Sequence, residues 1–166
     1  MSTPATVPDV TLRPAVPDDS GELFTLQRAA FVDEAQTFGD PFTVALTESL
    51  ERIHTLLGDP DTLVVCAVAG PRPVGAVRLR ALGTGAVLSR LAVAPDLRGR
   101  GIARRLLEEA ERRARGLETA PASLTLSAGA HDAALMRLFR SLGFAETSRE
   151  RLAEHLVMAH MRKELR

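Results

Sequence analysis

The stretch LSRLAVAPDLRGRGIARRLLEEA, Leu88 to Ala110, holds two periodicities separated by a glycine turn. Apolar residues crowd LSRLAVA as in a buried strand, and Ile102, Leu106 and Ala110 then recur at helical spacing. Between them lie Gly99 and Gly101, with Arg98, Arg100, Arg104 and Arg105 around them and no carboxylate in the loop's second half or the first helical turn. A helix N-terminus has unpaired N–H groups and about half a positive charge, so its own chemistry favours Asp or Glu there. This segment does the opposite, and a ligand would supply the missing negative charge. Glycines at 99 and 101 let successive amides converge on one anion, and Arg98, Arg100 and Arg104 add attraction and bidentate contacts to phosphate. The plainer reading is a tight strand-to-helix turn capped by Asp96, with arginines that only face water. Two standard nucleotide loops are absent: there is no GxxxxGK[ST], and Arg104 stands where GxGxxG needs its third glycine.

The order of elements on either side gives the architecture. VTLRPAV from Val10 is a short strand ended by proline, after a tail over residues 1–8. Asp18, Asp19 and Ser20 signal the start of a first helix with Leu23, Leu26, Ala30 and Phe31 inward, ending near Glu34. DEAQTFGDPFTV breaks it, and a second helix puts Leu46, Leu50, Ile53 and Leu57 on one face. TLVVCAVA, VGAVRLRAL and AVLSRLAVAP then read as three antiparallel strands divided by GPRP and GTG, the third central because it is the most apolar. The helix from Ile102 turns Ile102, Leu106, Ala110, Ala114 and Leu117 inward. Outward, it spaces Arg104 with Glu108, Arg105 with Glu109, Glu108 with Arg112 and Glu111 with Arg115 for surface pairing. ASLTLSAG is a buried strand, HDAALMRLFRSLGF a short helix stopped at Gly143, and the remainder a β-hairpin. The expected fold is one α/β domain, a mixed, mostly antiparallel twisted sheet flanked by helices.

Composition narrows the class. The chain has 166 residues, with 45% hydrophobic and 25% charged, which suits one globular domain. Basic and acidic residues balance at 21 each, so no global field draws it to nucleic acid or a membrane surface and any anion site is local. Cys66 is the only cysteine and sits inside TLVVCAVA as a core thiol, which leaves no internal disulfide and no cysteine metal cluster. MSTPATVPDV has no basic start or apolar core of a signal peptide, and no run approaches the roughly 18 apolar residues that span a bilayer. A cytoplasmic protein is expected.

VAPDLRGRGIARRLL resembles the acyl-CoA-binding motif of the GNAT superfamily of N-acetyltransferases: Arg or Gln, two residues, Gly, one residue, then Gly or Ala. Arg98, Gly101 and Ala103 match those positions, LMRLFRSLGF resembles the family's second motif, and the order of elements agrees from Val10 to Leu165. The resemblance implies a sheet whose strands 86–94 and 123–128 splay apart. The pantetheine arm of acetyl-CoA, the co-substrate, would lie between them against Leu91, Ala92 and Val93. Its pyrophosphate would sit on the amides of Gly99, Arg100, Gly101, Ile102, Ala103 and Arg104. Plain core packing of Leu91 and Val93 is compatible with this.

The chemistry implied is attack of a neutral primary amine, from a small molecule or a peptide N-terminus, on the thioester in a ternary complex. No metal is required. Many relatives carry a tyrosine four residues before the second motif's glycine to protonate the departing thiolate; here that position is Phe139. A missing proton donor costs roughly 10² to 10⁴ in rate, and water, Ser141 or His131 could serve instead. Glu34 is the first candidate for the base, with Asp33 and His131 as competitors, and Phe31, Phe38 and Phe42 could wall the acceptor pocket. The four histidines show no Ser/His/Asp spacing. A non-catalytic acyl-CoA-binding module is the alternative, an arginine-surface nucleic-acid binder a weaker third, and a homodimer is allowed.

Overall fold

The computed structural model describes residues 8–166, so the expected tail over 1–8 falls outside the described residues except for Pro8. The chain runs β1 (Val10–Pro14), α1 (Ser20–Phe38), α2 (Val44–Thr47), α3 (Leu50–Leu57), β2 (Thr62–Ala69), β3 (Arg72–Leu82), β4 (Gly85–Val93), α4 (Ile102–Arg115), β5 (Ser123–Gly129), α5 (Ala133–Ser141), β6 (Ala145–Ala153) and β7 (Leu156–Glu164). Seven strands form one sheet in the order β1-β2-β3-β4-β5-β7-β6, and β4 is its middle strand. Every neighbouring pair is antiparallel except β4 and β5.

That parallel pair is the feature that makes a site. β4 and β5 are joined only at Ala86↔Leu124 and Val87↔Thr125, after which the strands part. Their far ends therefore form an internal edge, where β5-facing backbone groups of β4 beyond Ser89 have no strand partner. Helix α4 packs across β2, β3 and β4, and α1 covers β3 and β4. Alternation along β3 separates the two layers: a Cβ on Gly75 would lie 2.9 Å from Leu106 Cδ1 of α4, while Arg78 reaches the segment after α2. Leu79, Leu106, Leu124 and Met161 are among the fully buried side chains, each worth about 1.5–3 kcal/mol on burial. Cys66 is wholly buried among them, and desolvation pushes its thiol pKa up, as a core thiol requires.

Three local expectations need correction. Helix α1 does not end near Glu34 but continues to Phe38, because Ala35 and Phe38 extend its buried face and Gly39 at φ +63 supplies the stop. The single second helix is two pieces, broken at Glu48, whose ψ of 124° is extended. Its inward face is consequently Ile53 and Leu56, and Leu50 is exposed. On α4, Arg104 keeps Glu108 at 3.9 Å and Arg115 keeps Glu111 at 3.0 Å, but Glu109 is taken by Arg112 at 2.6 Å and Arg113 at 2.8 Å. Arg105 instead donates to the Val10 carbonyl at 2.8 Å, tying α4 to β1.

Candidate active site

The glycine turn takes the form its sequence asks for. Gly99 has φ +75 and Gly101 φ +77, the left-handed region that costs an L-residue about 1–2 kcal/mol. Gly101 is the residue before α4, no acidic side chain stands in the first turn, and no side chain caps it. Asp96, the alternative cap, is held by Arg72 at 2.8 and 3.0 Å instead. Among the described residues no backbone carbonyl outside the helix accepts from the amides of 99–104; the first helical bond is Arg105 N–H to Gly101 O. The amides at this helix end are thus free to meet an anion.

They open into a cleft of ≈ 580 Å³ at the parting of β4 and β5. One wall is Leu91, Ala92 and Val93 of β4; another is Ala134, Leu135 and Leu138 of α5; the floor of the turn contributes Gly99, Gly101, Ile102, Ala103 and Arg104. From α1 come Phe31, Asp33, Glu34 and Thr37, and after β5 come His131 and Asp132. Asp132 caps α5 by accepting from the Leu135 N–H at 3.0 Å, which fixes the helix at the cleft. A Cβ on Gly129 would strike the His131 ring at 2.5 Å, so glycine there admits the imidazole, which packs edge-on against Phe38 at 5.1 Å.

Most candidate residues named from the sequence are therefore in one place, though not all as pictured. Arg98 lines the cleft but is tied to α1, donating to Asp33 at 2.6 Å and to the Ala30 carbonyl at 2.9 Å. Arg104 donates to Ser141 Oγ at 2.7 Å and so joins α4 to α5. Arg100 is exposed and is not part of the lining. Phe139 is 4% exposed, packs against the Phe144 ring at 6.1 Å, and does not line the cleft. Phe42 is 78% exposed and Phe31 half-buried, so of the three phenylalanines only Phe31 faces the cavity itself.

Glu34 and His131 both line the cleft. Desolvation raises the Glu34 pKa above the usual carboxyl range, His131 and Arg90 oppose that rise, and Asp132 adds to it. Leu135, Leu138 and Thr37 had no sequence signal beyond helical spacing. The structure also assembles a Ser/His/Glu row that spacing hides: Ser127 Oγ is 2.6 Å from His160 Nδ1, and His160 Nε2 is 3.3 Å from Glu150. The row lies across β5, β7 and β6, outside the cleft, and its strand-to-strand separation is why no local pattern betrayed it. Among the described residues no group of three or more His, Cys, Asp or Glu could hold a metal, and no helix is long and apolar enough to cross a membrane.

A family model described as Acetyltransferase (GNAT) domain matches residues 25–165. Comparison with curated protein sequences finds no match. Among solved structures, the ribosomal-protein-alanine N-acetyltransferase from Brucella melitensis is 25% identical over 93% of this chain and 99% of that one, with a TM-score of 0.75. The ribosomal-protein-S18-alanine N-acetyltransferase from Escherichia coli is 19% identical over 95% and 94%, with a TM-score of 0.77. The PaiA N-acetyltransferase from Thermoplasma acidophilum, in complex with coenzyme A, is 18% identical over 94% and 99%, with a TM-score of 0.75.

Proposed function

Because the chain belongs to the GNAT acetyltransferase family, we propose that it moves an acetyl group from acetyl-CoA to a primary amine, on a small molecule or a peptide N-terminus, by direct attack in a ternary complex. The observation that carries this reading is the cleft between β4 and β5 running into the free amides of the Gly99–Gly101 turn. Those amides, together with a first turn that carries Arg104 and Arg105 and no carboxylate, suit a pyrophosphate. The unpaired backbone edge of β4 at Leu91–Val93 suits the amide groups of a pantetheine arm.

Acetyl-CoA, when bound, supplies an activated acyl carbon. What this chain contributes is positioning, a dipole and a base. Holding two reactants in the cleft supplies much of the rate, and a β4 N–H left without a strand partner can meet a developing oxyanion. Glu34, with its carboxyl held above its ordinary value, takes the proton that the neutral attacking amine gives up as the N–C bond forms, and His131, which lines the same cleft, can pass that proton on. As the N–C bond forms the C–S bond breaks, and the thiolate leaves without a phenol from Phe139, whose ring is turned into the core.

Calorimetry with acetyl-CoA tests the reading. Gly101→Glu is expected to abolish binding, because it puts a carboxylate and bulk into the anion cradle. Gly101→Ala, whose Cβ would meet nothing within 4 Å, should lose only about 1–2 kcal/mol through backbone strain. Unchanged affinity in Gly101→Glu would reject the assigned turn. A non-catalytic acyl-CoA-binding module is favoured by the burial of Phe139, and free-thiol release in the presence of an amine panel separates it from an enzyme.

A further inference from the structure

Arg98 has two claims on it. It stands just before the glycine turn and lines the cleft, yet both of its Nη groups donate into α1. Nη1 reaches Asp33 Oδ2 at 2.6 Å and Nη2 the Ala30 carbonyl at 2.9 Å, and Asp33 and Ala30 line the same cleft. The other arginines of the segment differ. Arg104 meets Ser141 at 2.7 Å and Glu108 at 3.9 Å, neither of which lines the cleft, and Arg100 is outside the lining. Arg98 is thus the arginine of the cleft wall whose carboxylate partner stands in that wall with it.

That partner is out of place for an anion site. Residues 98–105 carry no carboxylate, but the fold brings one to them from α1, 65 residues away in sequence. A negative charge there opposes a diphosphate on the neighbouring amides. The ion pair that offsets it is weak: the Arg98 and Asp33 side chains are 42% and 64% exposed, and an exposed pair of this kind shifts an equilibrium by no more than about fivefold. A bidentate, charge-assisted grip on a phosphate is the stronger bond for the same guanidinium. The Ala30 carbonyl that Arg98 also holds is the helical acceptor for the Glu34 N–H, so the tie ends on the turn of α1 that carries Phe31 and Glu34.

We propose that Asp33 is a positioning residue that competes with the coenzyme's pyrophosphate for Arg98. A phosphate takes the guanidinium fork, Asp33 turns to solvent, and α1 gives up its ionic bond to the glycine turn one helical turn from Glu34. Occupation of the coenzyme site and the setting of the candidate base are thereby coupled through one arginine. The proposal rests on the acetyltransferase reading for placing a pyrophosphate at the turn. A purely structural tie has the opposite sign, because losing Asp33 would then leave Arg98 misplaced and weaken binding.

Calorimetry with coenzyme A on the full chain reads the competition, at about 0.15 M salt so that charges more than about 8 Å apart are screened. Asp33→Ala should tighten binding roughly twofold to fivefold, and Asp33→Asn, which keeps a neutral acceptor for Arg98, should do so by less. Arg98→Gln should weaken binding, and in that background Asp33→Ala should bring no gain. A loss or no change in Asp33→Ala overturns the proposal, as does an equal gain in both backgrounds, which would mean that Asp33 simply repels the anion. Dephospho-coenzyme A, which keeps the pyrophosphate and lacks the 3′-phosphate, should show the same gain. A gain confined to coenzyme A assigns Arg98 to the other phosphate and overturns the proposal. The two readings fail differently: a wild type and an Asp33→Ala variant that both ignore coenzyme A refute the acetyltransferase function as well, whereas a wild type that binds while Asp33→Ala gains nothing refutes the competition alone.

Discussion

Glu34 joins a helix residue's position to a possible chemical duty, and its burial sets up a conflict between stability and activity. A carboxyl whose folded pKa is raised contributes stability below its unfolded pKa, and that contribution is lost as pH rises through the folded value. At neutral pH the ionised, desolvated group therefore weakens the fold. Glu34→Gln is expected to raise Tm at pH 7 while lowering kcat/KM by roughly 10² to 10⁴, and to remove the acid limb of the pH–rate profile. A variant that keeps full activity shows that the base lies elsewhere, with His131 next to be replaced. Phe139 poses the opposite case. Packed against Phe144 and nearly inaccessible, it leaves no evident partner for a hydroxyl, so Phe139→Tyr should lower stability by about 1–3 kcal/mol without a gain in turnover. Faster thiol release at unchanged Tm would show that the ring's edge reaches the cleft.

At the scale of elements, the molecule is held together around the site by ionic ties of long sequence separation. Glu48, at the break between α2 and α3, is pinned to β3 by Arg78 and to α1 by Gln27. Burial alone would raise its pKa, but the Arg78, Gln27 and Arg90 contacts outweigh that and hold the carboxyl below the usual range. Removing one partner of a buried pair strands the other's charge, at a cost of about 3–5 kcal/mol. Glu48→Gln is expected to lower stability by that order, measured by denaturant unfolding at pH 7. A loss under 1 kcal/mol would mean that water already reaches Arg78. By contrast Arg72 and Asp96 are both about half exposed, and that pair contributes little. The first strand and α4 are tied through Arg105, and α4 and α5 through Arg104, so the two arginines expected at the phosphate or the surface also set the angle between elements.

For the whole molecule these ties determine the response to acid. Asp19 is held low by Arg13, and Glu109 is pulled to about 2 by its hydrogen bonds from Arg112 and Arg113. Glu111, despite burial that would raise it, is held low by Lys163 and Arg115. Each depressed carboxylate contributes stability that is present above its unfolded pKa and lost as pH falls through the folded value. Glu34 has the opposite sign and is a single group against several. Tm is therefore expected to hold steady from pH 8 to 6 and to fall steadily below about pH 4.5. A Tm that rises on acidification in a pH series would mean that Glu34 and other desolvated groups outweigh the paired ones.

The strand, glycine turn and helix of Leu88–Ala110 were legible because each rests on a short-range rule: apolar period, left-handed φ at glycine, and an inner face repeating every three or four residues. For the same reason the order of elements, the mostly antiparallel sheet with β4 at its middle, and the inward placement of Cys66 could be read from the chain. The end of α1, the split at Glu48 and the partners of Arg98, Arg104 and Phe139 could not. Each depends on which distant side chain arrives first at a shared carboxylate or a shared gap. Asp33 lies 65 residues from Arg98, and Glu48 lies 30 from Arg78, so local spacing carries no trace of either pairing. The amino-acid order establishes which segments are strands and helices and where an anion could rest. Folding alone establishes which arginines remain free to meet one, because carboxylates brought close by the tertiary structure consume some of them: Asp33 takes Arg98, and Glu48 takes Arg78.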